Sequence, residues 1–133
     1  MREILFRGKR TDNHQWVEGH YIIDDLENPN PYIVSRWKHR VAHKTVGQYT
    51  GMLDKNGKKI FEGDIIRFLY IGKNLGVEGV ETVIFRNAKF CVEWGWHREI
   101  VCLDGFANTT LEVIGNIHDN PELSNCKENN NGH

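Results

Sequence analysis

The hydrophobic and polar positions along this chain form short apolar runs separated by polar or glycine-containing links. Val, Ile, Tyr, Phe and Trp are frequent in those runs, which is typical of β-strands. No long stretch shows the apolar spacing of an amphipathic helix, and no internal repeat is visible. Many short strands joined by turns favour an all-β fold with little helix, built as a small barrel or a sandwich.

The central dipeptide Asn56-Gly57 is the clearest turn signal in the chain. Both central residues of a type I′ turn need positive φ, and Asn followed by Gly tolerates this conformation best. We therefore predict a hairpin in which residues 52–53 and 59–61 pair across this turn. Gly63-Asp64 is then predicted to bend the chain into the next strand.

The N-terminal part predicts a second hairpin. Residues 3–7 and 16–23 have the composition of strands and are joined by a polar link. A proline-containing break follows, and residues 32–35 form a further short strand. Residues 36–44 are compatible with a strand, a loop or one helical turn.

Beyond the central hairpin, the pattern predicts five more strands: 65–71, 80–85, 89–94, 96–103 and 111–117. Five short strands with tight links fit a small, strongly bent barrel of the SH3-like type. We therefore expect an N-terminal β subdomain with a basic connecting segment (1–44), packed on the central hairpin and barrel (45–119). A polar tail (120–133) is expected to be disordered after at most one helical turn.

Length and charge limit the possible functions. A chain of 133 residues can bury a core without disulfide or metal support. Its 17 basic and 18 acidic side chains leave a net charge of −1, which argues against a whole-surface polyanion binder but permits a local basic patch. No apolar run has the length of a signal peptide or a membrane span, so we expect a cytoplasmic protein.

The sequence shows no motif for catalysis, cofactor binding or metal binding. Cys91, Cys102 and Cys126 lack C-x-x-C spacing, and we expect reduced thiols, with a Cys91–Cys102 bridge open to them if their strands pair. The G-x-S-x-G elbow, the P-loop ending and zinc-ligand spacing do not occur. We therefore expect no enzyme activity, no cofactor and no metal, and we interpret Asp54 and Asp64 as turn-capping carboxylates.

The best candidate for function is the basic and aromatic segment 32–44. Its cations could contact phosphates, and its indole could stack on a base. The alternative is a solvated edge strand or loop whose charges discourage edge-to-edge pairing. The candidate binding residues of this segment are Tyr32, Arg36, Trp37, Lys38, His39 and Arg40.

A second candidate is the pair of indoles Trp94 and Trp96 on either side of Gly95. Two indoles around a glycine can form a stacking platform or the wall of an apolar pocket. Alternatively, one Trp belongs to the core and the other covers the edge of the barrel. We favour this second interpretation, because a small barrel needs the large area that aromatic side chains bury.

Three blocks of the sequence are informative together. They are MREILFRGKR-TDNHQWVEGHYI, TVGQYTGMLDKNGKKIFEGDIIRF and LEVIGNIHDNPEL, in that order. They resemble the YopX family, whose members occur mostly in bacteriophages, prophages and mobile elements. The resemblance implies a phage-type origin, a cytosolic setting and a β-rich fold, and it carries over no catalytic residue. The segment before Thr45 usually has Asp-Pro-Glu character in that family, whereas His43-Lys44 stands here.

The favoured function is a non-enzymatic module that binds another protein or assembles with further copies of itself. Unpaired strand edges of a small open barrel suit strand addition or symmetric pairing. The alternative is a nucleic-acid-binding phage accessory protein that uses the segment 32–44.

Overall fold

The computed structural model describes residues 3–24, 27, 30–72, 75–95, 98–106 and 110–123. These residues form twelve strands, two short 3₁₀ turns and one helical turn at 121–123. The predicted all-β fold with little helix is confirmed, and so is the single helical turn; the rest of the tail lies outside the described residues. In the described part of the chain, no helix is long and apolar enough to cross a membrane.

The chain divides into two compact units, residues 1–51 and residues 52–133, called here the first unit and the second unit. The strands of the first unit are β1 (Phe6–Lys9), β2 (Trp16–Ile23), β3 (Pro31–Val34), β4 (Lys38–Arg40) and β5 (Gly47–Leu53), which ends inside the second unit. Their order in the sheet is β4-β3-β2-β1-β5.

The predicted N-terminal hairpin is confirmed. β1 and β2 are antiparallel, with Phe6 opposite Gly19 and Lys9 opposite Trp16. The second strand has the predicted bounds, whereas the first runs from Phe6 to Lys9 rather than from residue 3 to residue 7.

Residues 36–44 contain all three forms that the sequence left open. A bend at 35–37 leads into β4, and a 3₁₀ turn (His43–Thr45) follows. The predicted boundary between the N-terminal subdomain and the barrel lies in this turn. Thr45 Oγ1 accepts a hydrogen bond from the Lys9 N–H at 2.8 Å and donates to the Ala42 carbonyl at 2.6 Å, so the turn is fixed to the end of β1.

The second unit holds the other strands. They are β6 (Lys59–Phe61), β7 (Asp64–Gly72), β8 (Leu75–Thr82), β9 (Ile84–Arg86), β10 (Lys89–Trp94), β11 (Glu99–Cys102) and β12 (Glu112–Asn116). β12, β7 and β8 form one sheet, β11, β10 and β9 form another, and β6 lies beside β5. Closure of these sheets into an SH3-like barrel stays a prediction.

The strand predicted at 80–85 is two strands. Val83 lies between β8 and β9, where its N–H donates to the Asp64 carbonyl at 2.8 Å and its carbonyl accepts from the Gly63 N–H at 2.9 Å. This exchange ties Val83 to the turn before β7. The chain therefore changes sheets at this residue.

Phe68 lies in the core of the second unit. Its ring centre is 4.7 Å from that of Phe106 and 5.5 Å from that of Trp94, and such aromatic pairs contribute about 0.5–1.5 kcal/mol beyond area burial. The buried cluster consists of Ile60, Ile66, Phe68, Val83, Val92, Leu103, Phe106 and Leu111.

The hairpin between β5 and β6 is confirmed, but the type I′ turn predicted for it is wrong. Asp54 N–H donates to the Lys58 carbonyl at 2.8 Å and Gly57 N–H to the Asp54 carbonyl at 3.0 Å, which leaves a three-residue loop. Gly57 has φ +79°, whereas Asn56 is not among the residues with positive φ. This is a type I turn followed by a bulge. The Asp54 carboxylate favours this form, because Oδ1 accepts from the N–H groups of Asn56 at 2.8 Å and Lys58 at 2.9 Å.

The I′ geometry occurs elsewhere, at Asn87-Ala88 between β9 and β10. The φ angles are 53° and 62°, and the flanking residues Arg86 and Lys89 are directly opposite each other. An alanine in left-handed geometry costs about 1–2 kcal/mol. Tight strand pairing on both sides holds the turn in spite of this cost.

Candidate functional site

The basic and aromatic residues identified in the sequence lie on β3, β4 and the bend between them. Tyr32 is opposite Arg40, and Val34 is opposite Lys38. Because opposite residues of antiparallel strands share a face, the two cations project from the same side as Tyr32.

These cations are already engaged within the chain. Lys38 Nζ lies 4.2 Å from the centre of the Tyr32 ring and 3.2 Å from Oδ2 of Asp24. Arg40 Nη2 donates to Oδ1 of Asn30 at 2.8 Å. Exposed contacts of this kind contribute roughly 0–1 kcal/mol, so a partner could replace them, but they reduce the charge that the face presents.

The other three candidates of this segment have different surroundings. His39 is opposite the fully buried Ile33, on the face away from Tyr32. Arg36 and Trp37 lie in the bend and are exposed, Trp37 to 69%. The segment therefore does not form one continuous basic surface.

A second aromatic and cationic contact, missed in the sequence, lies between β1 and β2. Arg7 Cζ is 4.7 Å and Lys9 Nζ is 5.8 Å from the centre of the Trp16 ring. Both distances are within the range of cation–π attraction. Lys9 and Trp16 are opposite each other in the ladder, because β1 extends to Lys9, beyond residue 7, where the predicted strand ended.

Trp94 packs against the core of the second unit. It is half-buried on β10, and its ring meets that of Phe68 edge-on at 81°. This placement agrees with the core alternative favoured from the sequence. Trp96 lies outside the described residues.

Asp54 joins the β5–β6 loop to β12. It is buried, and its Oδ2 accepts from the N–H of Val113 at 2.9 Å. Burial by itself raises the pKa of this carboxyl, but hydrogen bonds from the backbone N–H groups of Val113, Lys58 and Asn56 outweigh it and hold the pKa below its ordinary value. The interpretation of Asp54 as a turn-capping carboxylate is therefore confirmed.

Asp64 has a similar structural role. Its side chain is 1% exposed, and Oδ2 accepts from the Phe61 N–H at 2.7 Å. The bend predicted at Gly63-Asp64 is confirmed, with Gly63 at φ +93°.

In the last of the three sequence blocks, the residues that follow β12 form a cluster of local hydrogen bonds. Asn116 Oδ1 accepts from the N–H groups of His118 at 3.0 Å and Asp119 at 2.9 Å. Asn120 Oδ1 accepts from the Asn116 N–H at 3.2 Å, and a Cβ added at Gly115 would lie 2.5 Å from the same oxygen. This polar cluster therefore needs a glycine at 115 for close approach.

Cys91 and Cys102 are free thiols that stand directly opposite each other on β10 and β11. Burial raises the pKa of the Cys91 thiol, with a further contribution from Cys102, so Cys91 is a poor nucleophile at neutral pH. Cys126 lies outside the described residues. Among the residues that the structure describes, no group of three or more His, Cys, Asp or Glu side chains is placed to hold a metal ion.

A cavity of about 290 Å³ lies in the first unit. Its mainly apolar lining comes from Tyr21, Ile23, Pro31 and His43. Ile23 and Pro31 are opposite each other where β2 and β3 end, and the 3₁₀ turn supplies His43. The sequence analysis missed this cavity, although the alternation of Tyr21 and Ile23 along β2 was visible.

Sequence and fold both match known proteins. The family model described as YopX protein matches residues 5–124. The chain belongs to the YopX family. Protein EF1440 from Enterococcus faecalis, known from a crystal structure, is similar at 24% identity, covering 92% of this chain and 99% of that chain with a TM-score of 0.55. At that identity the likeness shows the fold alone. No curated protein matches the chain.

The sequence blocks that resemble the YopX family hold structural residues. In the middle block, Asp54 and Gly57 form the three-residue loop and Asp64 caps the next bend. In the last block, Gly115 and Asn116 form the polar cluster after β12. These residues therefore have structural roles in the loop, the bend and the cluster.

Proposed function

We propose that this YopX family member is a non-enzymatic module that binds another protein or a further copy of itself through its first unit. One observation carries the proposal: the described part of this unit exposes more large hydrophobic side chains than it buries. The buried ones are Ile33, Val41 and Tyr49, and the exposed ones are Ile4, Ile22, Ile23 and Trp37. Single exposed apolar residues are ordinary on a protein surface, so we place the proposed site at Ile23 and Trp37, where a partner would cover them.

The placement of the two buried aspartates supports a role without catalysis. Asp54 and Asp64 are the buried aspartates of the described chain, and both accept hydrogen bonds from backbone N–H groups. A carboxylate held in this way stabilises a turn and has less capacity to act as a general base.

A pull-down from bacterial lysate, with and without nuclease, tests the proposed function. Two double variants are compared with the wild type: Ile23→Ser/Trp37→Ser in the first unit and Val77→Ser/Ile100→Ser in the second, all at exposed positions. We expect nuclease-treated lysate to yield a protein that the wild type and the second-unit variant retain and the first-unit variant loses. Loss through the second-unit variant instead would contradict the proposal.

The second candidate is nucleic-acid binding by the face that carries Tyr32, Lys38 and Arg40. The favouring observation is that β4 places two cations beside an aromatic ring, as single-stranded nucleic acid requires. Gel-shift assays with short single- and double-stranded DNA across a salt series test it. A salt-sensitive shift that Arg36→Ala/Lys38→Ala/Arg40→Ala removes would support this candidate, and no shift at micromolar protein would end it. The triple variant should lose less than about 1 kcal/mol of stability, because all three side chains are exposed.

A further inference from the structure

The cavity of the first unit has the size of a site for one large side chain. At about 290 Å³ it lies at the lower end of ligand pockets, which run from roughly 300 to 1,000 Å³. Ile23 remains 47% exposed at its wall. An apolar group inserted here would remove that surface from water, which is favourable by about 25 cal/mol per Å².

The same unit carries a large apolar side chain that is mostly exposed. Trp37 is the most exposed of the large hydrophobic residues that the structure describes, at 69%. It lies in a tight bend, where the Ser35 N–H donates to the Trp37 carbonyl at 3.1 Å. A tryptophan in a fixed bend loses little conformational freedom on binding, which is why such residues act as anchors at interfaces.

Trp37 and the cavity lie at opposite ends of β3. Pro31, at one end, lines the cavity, and the bend that holds Trp37 follows Val34 at the other. Three strand steps separate these ends, which is about 10 Å. A two-fold axis across β3 would place the Trp37 end of each copy beside the cavity end of the other copy. The arrangement closes on itself, as an isologous interface does.

Charge at the two ends favours the same orientation. Trp37 follows Arg36, whereas Glu27 lies beyond the cavity end of β2, and both charged residues are exposed. Lys38 and Asp24 are paired with each other within the chain, at 3.2 Å, so they do not contribute to this difference between the ends. Opposite charges at the two ends favour an antiparallel pair of copies and disfavour a parallel one.

Pairing of β4 edges is the less favourable way to join two copies. An antiparallel β4–β4 ladder would bring Lys38 and Arg40 near the same cations of the partner. Like charges on facing strands are destabilising, and charged edges prevent such pairing in natural sheets.

We propose that two copies of this chain form a closed pair in which Trp37 of each inserts into the cavity formed by Tyr21, Ile23, Pro31 and His43 of the other. This inference rests on the proposed binding function and names the partner as a second copy. Each site is complete only when the other copy supplies its indole.

Sedimentation equilibrium over a protein concentration series from about 1 µM to 1 mM tests the pair, since interfaces of modest size dissociate in this range. We expect a monomer–dimer equilibrium whose dissociation constant rises about 30-fold or more in Trp37→Ser, the effect of losing an anchor residue. Ile23→Asp should weaken the pair as strongly. Ile22→Ser is the matched control: Ile22 is 38% exposed on the same strand but projects from the other face, and it should change the constant less than about twofold.

Mixing the two variants distinguishes a loss of Trp37 insertion from a general loss of structure. Trp37→Ser keeps its cavity, and Ile23→Asp keeps its indole, so a mixture can form one of the two contacts. We expect the mixture to dimerise more tightly than either variant alone. The proposal would be overturned if the mixture had the same dissociation constant as the single variants. It would also be overturned if Ile22→Ser raised the dissociation constant as much as Trp37→Ser does.

The outcome also distinguishes this inference from the function on which it rests. A wild-type chain that stays monomeric at the highest concentration overturns self-pairing. The pull-down from lysate can then still recover a protein that binds the wild type and does not bind Ile23→Ser/Trp37→Ser. In that case the proposed binding function stands, and only the identification of the partner as a second copy is wrong. Open polymers instead of dimers would overturn the closed two-fold arrangement.

Discussion

The first unit exposes more of its large hydrophobic side chains than it buries, and the second unit does the opposite. Among the described residues, the first unit buries three and exposes four, whereas the second buries ten and exposes four. Buried apolar area is the main favourable term in folding. We infer that the second unit supplies most of the stability of the chain, whereas the first offers the surface for a partner.

The two units also differ in charge. Residues 1–51 carry eight Lys or Arg and six Asp or Glu, and residues 52–133 carry nine and twelve. The near-neutral balance of the whole chain therefore conceals a basic first unit and an acidic second one. Charge of this size affects association more than folding.

The largest predicted difference in stability loss comes from replacing one isoleucine by alanine in each unit. Ile66→Ala, at a fully buried position of the second unit, should cost about 2–5 kcal/mol, because it leaves a cavity. Ile23→Ala, at a position 47% exposed in the first unit, should cost less than about 1 kcal/mol. Urea unfolding of both variants measures the difference. Equal losses would break the contrast between the units.

The next largest loss of stability is expected from removing the Asp54 charge in the second unit. Asp54→Asn places an amide N–H₂ against backbone donors, and we expect a loss of about 1–3 kcal/mol. Thermal unfolding at neutral pH measures it. Asp104→Asn, at an exposed position of the 3₁₀ turn Leu103–Gly105, is the control and should leave the melting temperature unchanged.

The same carboxylate predicts an acid dependence of stability. The pKa of Asp54 is below its ordinary value of 3.8 in the folded chain, so its contribution is present above about pH 4 and is lost as the pH falls through the folded pKa. Wild-type stability should therefore fall more steeply than that of Asp54→Asn between neutral and strongly acid pH. Parallel curves for the two proteins would show that the carboxylate does not contribute in this way.

A substitution of Gly57, in the β5–β6 loop of the second unit, should cause the next largest loss of stability. Gly57 has φ +79° and open space around its α-carbon, so Gly57→Val should cost about 1–2 kcal/mol from backbone strain alone. Gly105→Val is the matched control, because the space around that residue is also open and its φ is not positive. If both variants melt at the same temperature, positive φ at residue 57 is not what the turn needs.

The smallest predicted effect has opposite signs in the two units. Ala88→Gly should stabilise the chain by about 0.5–1 kcal/mol, since glycine relieves left-handed strain at φ 62°. Ala42→Gly, at φ −74° in the first unit, should destabilise it by a similar amount, because glycine adds only entropy to the unfolded chain. Melting temperatures that shift in the same direction would contradict this account.

The strands could be predicted from sequence wherever their apolar pattern was local. β2 has the predicted bounds, Trp16–Ile23, and both predicted hairpins are present. The turn type at Asn56-Gly57 could not be predicted in the same way. It depends on a carboxylate, Asp54, that also binds the Val113 N–H from 59 residues further along the chain.

The candidate site was less predictable than the fold. The basic segment was visible as composition, but the contacts that engage it, from Lys38 to Asp24 and from Arg40 to Asn30, depend on how β3 and β4 fold back. The cavity combines two strand ends with the 3₁₀ turn that holds His43. The sequence pattern predicts the strands and the turn separately, but it does not show that the strand ends and His43 lie next to each other.

Hydrogen–deuterium exchange tests the separation of roles between the two units most directly. The wild type is compared at a concentration where it is associated and at one where it is dissociated, with Trp37→Ser as the variant that stays dissociated. We predict slower exchange on association in residues 20–24 and 30–45, with β9, β10 and β11 unchanged. Slower exchange confined to β9–β11, or the same change in Trp37→Ser, would contradict the assignment of binding to the first unit.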